Sequence, residues 1–328
     1  MVKIGHIELE EFPLILAPME DVTDPAFRKI CKQLGADMMY TEFISSEGLI
    51  RNAHKSLIKL TLTEEERPIG IQIFGHDIDS MKQAAEMAEK SAPDLIDLNY
   101  GCPVRKVVNK GSGAALLLDI PKMIKMTEVI VKSTSLPITV KTRIGWDEKN
   151  KIIVDVAEKL QDVGIQAITI HGRTRSQIYS GKADWTLIGE VKNNPRMKIP
   201  VFGNGDIDCP EKALEVKQRY NVDGIMIGRA CTGNPWIFRQ IKEYFKNGTK
   251  LPDAGILERV RICREHLAMS VKDKGERTGI LEMRKHYNGY FKGVSNFKQY
   301  KIALLQTHDL AETENVLFMI LKNYEEQK

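Results

Sequence analysis

The sequence predicts an α/β protein: a (β/α)8 TIM barrel with a small all-helical domain at its C-terminus. Three observations carry the prediction. Eight short apolar or β-branched runs recur through the first 230 residues, stretches of helical periodicity lie between most of them, and the alternation stops after Ile237. Strands that alternate with helices imply parallel pairing, and eight such units imply a closed barrel rather than an open sheet.

The expected strands are residues 14–17, 38–43, 69–74, 95–98, 138–141, 167–170, 199–202 and 224–227. They are mostly apolar on both faces, as strands covered by helices are. The helical stretches between them include 25–34, 78–90, 120–132, 152–163 and 211–217. Beyond Ile237 no run reads as a strand. Residues 251–253 read as a linker or helix start, and 255–273, 279–292 and 311–324 have helical spacing. The length of 328 residues suits a barrel of about 250 residues plus an appendage, so the expected division is a barrel of residues 1–245 and a helical domain of 246–328.

Composition bounds the function. Hydrophobic residues at 42% and charged residues at 28% are those of a soluble globular chain. No apolar run approaches the roughly 18 residues that span a bilayer, and residues 1–6 lack the apolar segment of a signal peptide. Cys31, Cys102, Cys209, Cys231 and Cys263 are scattered without a CxxC pair, which argues against a disulfide framework, a zinc site or an iron–sulfur cluster. The expectation is a cytoplasmic monomer with no metal and no membrane contact. The net charge of +4 is unevenly spread. Residues 246–328 hold 15 Lys+Arg against 11 Asp+Glu, and residues 283–308 contain five cations and no acid, interleaved with Tyr287, Tyr290, Phe291, Phe297 and Tyr300. That mixture suits a polyanion with stackable bases, and equally an ordinary helical surface whose aromatics face a core.

The polar residues of chemical interest sit where the runs stop, the end at which barrel enzymes do their work. The fourth run leads through Asn99 to Cys102 and Pro103. A thiol there is a candidate acid or nucleophile, although free cysteines are mostly small buried hydrophobes. The seventh and eighth runs end in Gly203-Asn204-Gly205-Asp206 and Gly228-Arg229-Ala230, glycine loops that suit a phosphate. Gln72, Asn99, Lys141 and His171, from strands three to six, would converge over the barrel top. Amides and a lysine against a flat heterocycle, with a phosphate site beside them, fit flavin mononucleotide, FMN. No GxGxxG fingerprint points to a Rossmann site instead. Beside such a ring Cys102, without a partner cysteine, suits general acid work, since a thiol of ordinary pKa near about 8.5 is protonated at neutral pH. Lys106 and Lys110 follow closely on a loop that can fold over a substrate.

These residues resemble the bacterial, FMN-dependent tRNA-dihydrouridine synthase family. The motifs are Ala17-Pro18-Met19-Glu20-Asp21-Val22-Thr23-Asp24, Asp97-Leu98-Asn99-Tyr100-Gly101-Cys102-Pro103, Val140-Lys141-Thr142-Arg143, His171-Gly172-Arg173-Thr174 with Tyr179-Ser180-Gly181-Lys182-Ala183-Asp184-Trp185, Asn204-Gly205-Asp206-Ile207 and Met226-Ile227-Gly228-Arg229 followed by Gly233-Asn234-Pro235-Trp236, over residues 4–300. The resemblance implies an oxidoreductase with tightly bound FMN, reduced by NADPH, that passes hydride to C6 of a uracil in tRNA while Cys102 protonates C5. It implies that Pro18, Met19 and Glu20 line the flavin, that Gln72, Lys141 and His171 bond it, and that Asn204, Gly205, Asp206, Gly228 and Arg229 hold its phosphate end. Asn99 would orient the uracil. Arg173, Arg284, Lys285, Lys292 and Lys298 are the expected RNA contacts. Tyr100, where methionine is commoner, and Glu20-Asp21, where small residues are commoner, would adjust the pocket. Two other readings stand beside this one: a free-pyrimidine oxidoreductase of the dihydroorotate dehydrogenase kind, which has no need of the acid-free segment, and an RNA-binding protein on an inactive barrel.

Overall fold

In a computed structural model of the chain, residues 1–325 are described. Eight parallel strands close on themselves: Leu14–Leu16, Met38–Tyr40, Ile69–Phe74, Leu95–Tyr100, Ile138–Arg143, Ala167–His171, Val201–Asn204 and Gly224–Ile227, the last pairing back onto the first. The two longest ladders, on either side of Ile138–Arg143, each pair five residues in register. A two-residue strand, Ile44–Ser45, adds to the edge of the third barrel strand.

Helices fill the crossovers where apolar residues recur on one face. Pro25–Gln33 begins with proline behind an Asp24 cap whose carboxylate accepts from Phe27 N–H at 2.8 Å, and it buries Phe27, Ile30 and Cys31. Ile78–Glu89 and Ile120–Val131 start in the same way, capped by Asp77 and Asp119. Each cap satisfies a backbone donor that the first turn leaves without a partner.

One element was not legible from periodicity. Val2–Ile4 and Ile7–Leu9 form an antiparallel hairpin, and its apolar residues pack with Ile15, Met38, Tyr40, Leu95, Ala167, Phe202 and Met226 inside the barrel. A Cβ on the hairpin's Gly5 would meet Pro137 Cγ at 2.7 Å, just ahead of the fifth strand, so the hairpin closes the barrel floor and leaves the opposite end as the open one.

The last barrel helix, Ile237–Asn247, buries Ile237, Phe238 and Ile241 in the barrel core and ends at Gly248 with φ +70°. Helices Ile256–Lys274, Glu276–Tyr290, Phe297–Gln306 and Leu310–Glu325 follow. Their apolar cluster incorporates Ile30, Leu34 and Trp236 from the barrel, so the helical region is packed onto the first barrel helix. Lys274 pairs with Asp24 across that contact. No described helix is long and apolar enough to cross a membrane.

Candidate active site

A cavity of about 670 Å³ opens at the C-terminal ends of the strands. Pro18, Met19, Glu20, Asn99, Cys102, Lys141, His171, Asn204, Gly205, Asp206, Gly228 and Arg229 line it, so most of the residues singled out by the sequence meet in one space of the size that holds a small organic ligand.

The thiol is set by a chain of directed hydrogen bonds. Asp97, buried on the fourth strand, accepts from Thr139 Oγ1 and Gln72 Nε2, both at 2.5 Å. A carboxylate only accepts, so Gln72 must turn its Nε2 towards it and its Oε1 away. That oxygen accepts from Asn99 Nδ2 at 2.8 Å. Asn99 Oδ1 is thereby aimed at the backbone and accepts from Gly101 N–H at 3.0 Å and Cys102 N–H at 2.9 Å. The loop that carries the thiol is thus held by a relay rooted in a carboxylate two strand positions below Asn99.

Charge is concentrated around the thiol. Arg143 donates from Nε to Gly101 O at 2.7 Å and from Nη1 to Thr174 O and Ile178 O. Burial pushes the Cys102 thiol above its ordinary value, against the opposing pull of the Val104 N–H, Arg143 and Lys141. The thiol is therefore protonated at neutral pH. Burial, with Arg143 beside it, brings Lys141 down to about 8, while Asp97 props it up. Its Nζ donates to Asn204 Oδ1 at 3.3 Å. His171 is held well below its ordinary value by burial and by Arg143, Lys141, Arg173 and Arg229, so its ring is neutral.

The two glycine loops leave backbone donors open. The N–H groups of Gly205, Asp206, Arg229 and Ala230 donate to no described residue. Gly205 has φ +128°, and a Cβ there would meet Ala183 Cβ at 2.7 Å, so the close turn requires glycine. Four open N–H groups beside Arg229 fit a phosphate, and Lys141 and neutral His171 fit the edge of a planar heterocycle. The Asp206 carboxylate is not part of that cradle. It accepts from Arg173 Nη2 and Ala183 N–H, at 2.8 and 2.7 Å, and from Arg229 Nη2 at 3.3 Å, so it braces the loop and leaves only its N–H for an anion.

Several expected placements need correction. Gln72 is fully buried under the cavity wall, occupied by Asp97 and Asn99, and does not line the cavity. Asn99 reaches the wall, but its oxygen is spent on the thiol loop, which makes it a positioning residue first. Arg173 is 2% exposed and tied to Ser180 O, Gly181 O and Asp206, inside the wall and out of reach of RNA. Tyr100 points away from the cavity and bonds Thr127 at 3.0 Å. Tyr287, Tyr290 and Phe291 are core residues of the helical region and offer no stacking face. Arg284 donates to Thr307 O with its Nε buried, and Lys285 donates to Asp21 O; Lys292 and Lys298 are exposed. Tyr179, the first residue of the Tyr179–Trp185 motif, also lines the cavity with the Arg229 guanidinium 4.8 Å and that of Arg143 5.9 Å from its ring centre. At the rim Glu20, Asp21 and Glu42 bring carboxylates together, with the Lys59 ammonium paired to Glu20 and Glu42.

With its reactive side chains gathered at one end of a closed parallel barrel, the molecule has the layout of a TIM-barrel enzyme. Residues 15–325 match the family of dihydrouridine synthases (Dus). The tRNA-dihydrouridine synthase B of Pseudomonas aeruginosa is 39% identical over 94% of this chain and 92% of its own length. A probable tRNA-dihydrouridine synthase of Rickettsia bellii is 40% identical over 94% of each chain. Among solved structures, a morphinone reductase in complex with tetrahydroNAD superposes with a TM-score of 0.55 at 12% identity, over 77% of this chain and 91% of that one, a likeness of fold alone. The chain belongs to the dihydrouridine synthase family.

Proposed function

We propose that this chain reduces the C5–C6 double bond of specific uridines in tRNA to 5,6-dihydrouridine, with FMN held at the barrel mouth and NADPH as the electron donor. Bound FMN supplies the hydride for C6 of the uracil. The observation that carries the reading is the Cys102 thiol on the cavity wall, protonated at neutral pH and flanked by two cations. A proton donor must hold its proton at rest and tolerate losing it. Burial secures the first, and Lys141 and Arg143 ease the second, so Cys102 delivers the proton to C5. Lys141 and His171 face the ring edge of the cofactor, Pro18 and Met19 line its apolar side, and the N–H groups of Gly205, Asp206, Arg229 and Ala230 take its phosphate. A uridine in folded RNA reaches this cavity only by leaving its stack. The names of the 37–40% identical relatives support tRNA as the RNA.

The test is Cys102→Ala. The variant is expected to purify yellow and to oxidise NADPH, yet to form dihydrouridine in tRNA at least about a hundredfold more slowly, the usual contribution of a general acid. Mass-spectrometric mapping of dihydrouridine reads the product. A normal yield from that variant refutes the role of Cys102, and a colourless protein that takes up no FMN refutes the flavin.

A further inference from the structure

Directly after the thiol comes a turn with an unusual charge. Residues 98–118 contain no acid but include Arg105, Lys106 and Lys110. All three are exposed, on a turn built round the short helix Arg105–Val108, and none of their side chains makes a hydrogen bond or ion pair with a described residue. Other cations of the mouth are engaged: Lys59 by Glu20, Arg143 by three carbonyls, Arg173 by Asp206.

The turn is fastened to the thiol residue at both ends. Pro103 and Val104 continue from Cys102 along the cavity wall, and Val104 is exposed there. At the far end Ala114 N–H donates to Cys102 O at 3.1 Å. Gly113, with φ +60°, sits so close that a Cβ would meet Cys102 O at 2.9 Å and Val107 Cγ1 at 3.0 Å. The rim is otherwise acidic at intervals: Glu20 and Asp21 follow the first strand, Asp206 and Asp208 the seventh. The fourth-strand side therefore offers a backbone of phosphates an acid-free path to the cavity.

We propose that the turn from Val104 to Lys110 is the phosphate-binding lip of the site, with Arg105, Lys106 and Lys110 holding the RNA backbone that flanks the nucleotide entering the cavity. The inference rests on the reading that an RNA uridine enters there. Phosphate contacts set register without reading sequence. Because lip and thiol share one fastened loop, holding the phosphates also sets where the base meets Cys102. The cations that mark this surface lie on the barrel, not in the basic segment of the helical region.

The test compares wild type with Arg105→Ala/Lys106→Ala/Lys110→Ala and with the charge-preserving Arg105→Lys/Lys106→Arg/Lys110→Arg, using an unmodified tRNA transcript and filter binding between about 50 and 200 mM salt. The alanine variant is expected to bind at least about tenfold more weakly at low salt, with the log–log salt slope smaller by about 2–3; the charge-preserving variant keeps the wild-type slope. An alanine variant with the wild-type melting temperature and an unchanged slope overturns the lip alone. A charge-preserving variant as weak as the alanine one also overturns it. A wild type that binds no tRNA overturns the RNA reading and the lip with it.

Discussion

Asp97→Asn should make the protein more stable and less active. Burial raises the Asp97 carboxyl from 3.8 to about 6, against the opposing pull of Thr139, Gln72 and Lys141. The folded chain therefore holds this proton more tightly than the unfolded chain does. The contribution to stability is fully present below 3.8 and is lost as the pH climbs through about 6. Near pH 7 the ionised carboxylate costs about 3 kcal/mol, and near pH 4 less than about 1 kcal/mol. Asparagine removes the charge and keeps both contacts in kind, since its oxygen can accept from Gln72 Nε2 and its amide can donate to Thr139 Oγ1. The variant should gain about 1–3 kcal/mol near pH 7, with the gap closing towards pH 4. Urea unfolding at several pH values measures it. Activity should move the other way. An asparagine amide can present either end to Gln72, so the relay to the Cys102 loop loses its fixed sense, and Lys141 loses the anion that supports its charge. A fall of about tenfold in dihydrouridine formation is expected, about 1.4 kcal/mol of barrel-mouth positioning. An Asn variant less stable than wild type near pH 7, or a gap that ignores pH, refutes the reasoning.

Two further perturbations act on stability alone. Arg28 and Glu66 form a buried pair at 2.8 Å, with the guanidinium also on Thr23 O and Thr61 O and the carboxylate on Thr63; Glu66→Gln strands the arginine and should cost about 3–5 kcal/mol by thermal or urea unfolding. His266 is pushed down to about 4 by burial, with Asp24 opposing and Lys274 and Lys285 reinforcing, and it lies against His286, Phe27 and Tyr290. Its neutral ring is accommodated above 6.5, and up to about 3 kcal/mol is lost as the pH falls towards 4. His266→Gln should flatten that acid limb in a pH series of melting temperatures, and an unchanged limb would remove His266 from the account.

What the sequence made legible follows from the range of the signal. The eight barrel strands stood out because each is an apolar run between turn residues, and the mouth stood out because polar residues gather at the ends of most of them. The hairpin of Val2–Ile4 and Ile7–Leu9 was missed because three residues carry no period. The aromatics of 283–308 left two readings open because a helix with a buried face and a basic face has the same composition as a stacking platform; Tyr287 and Tyr290 decide for the buried face by being fully buried. Gln72 and Asp97 are a harder case. They sit opposite each other in register across the third and fourth strands, and only that pairing turns two polar residues of separate motifs into one relay.

The same geometry explains how a thiol among cations stays a thiol. Lys141 and Arg143 both pull the Cys102 pKa down, and by themselves would favour the thiolate. Burial outweighs them, although both stay charged at neutral pH: burial weakens the hold of Lys141 on its proton to about 8, with Arg143 reinforcing, and that of Arg143 to about 10. Asp97 limits that weakening from below while it orients Gln72 and Asn99. One buried carboxylate thus serves both conditions of the proposed acid, the position of the thiol loop and the persistence of a positive charge near the sulfur were its proton to leave. Its own ionisation is unfavourable at this site, so the fold keeps at the barrel mouth a charge that stability alone would discard.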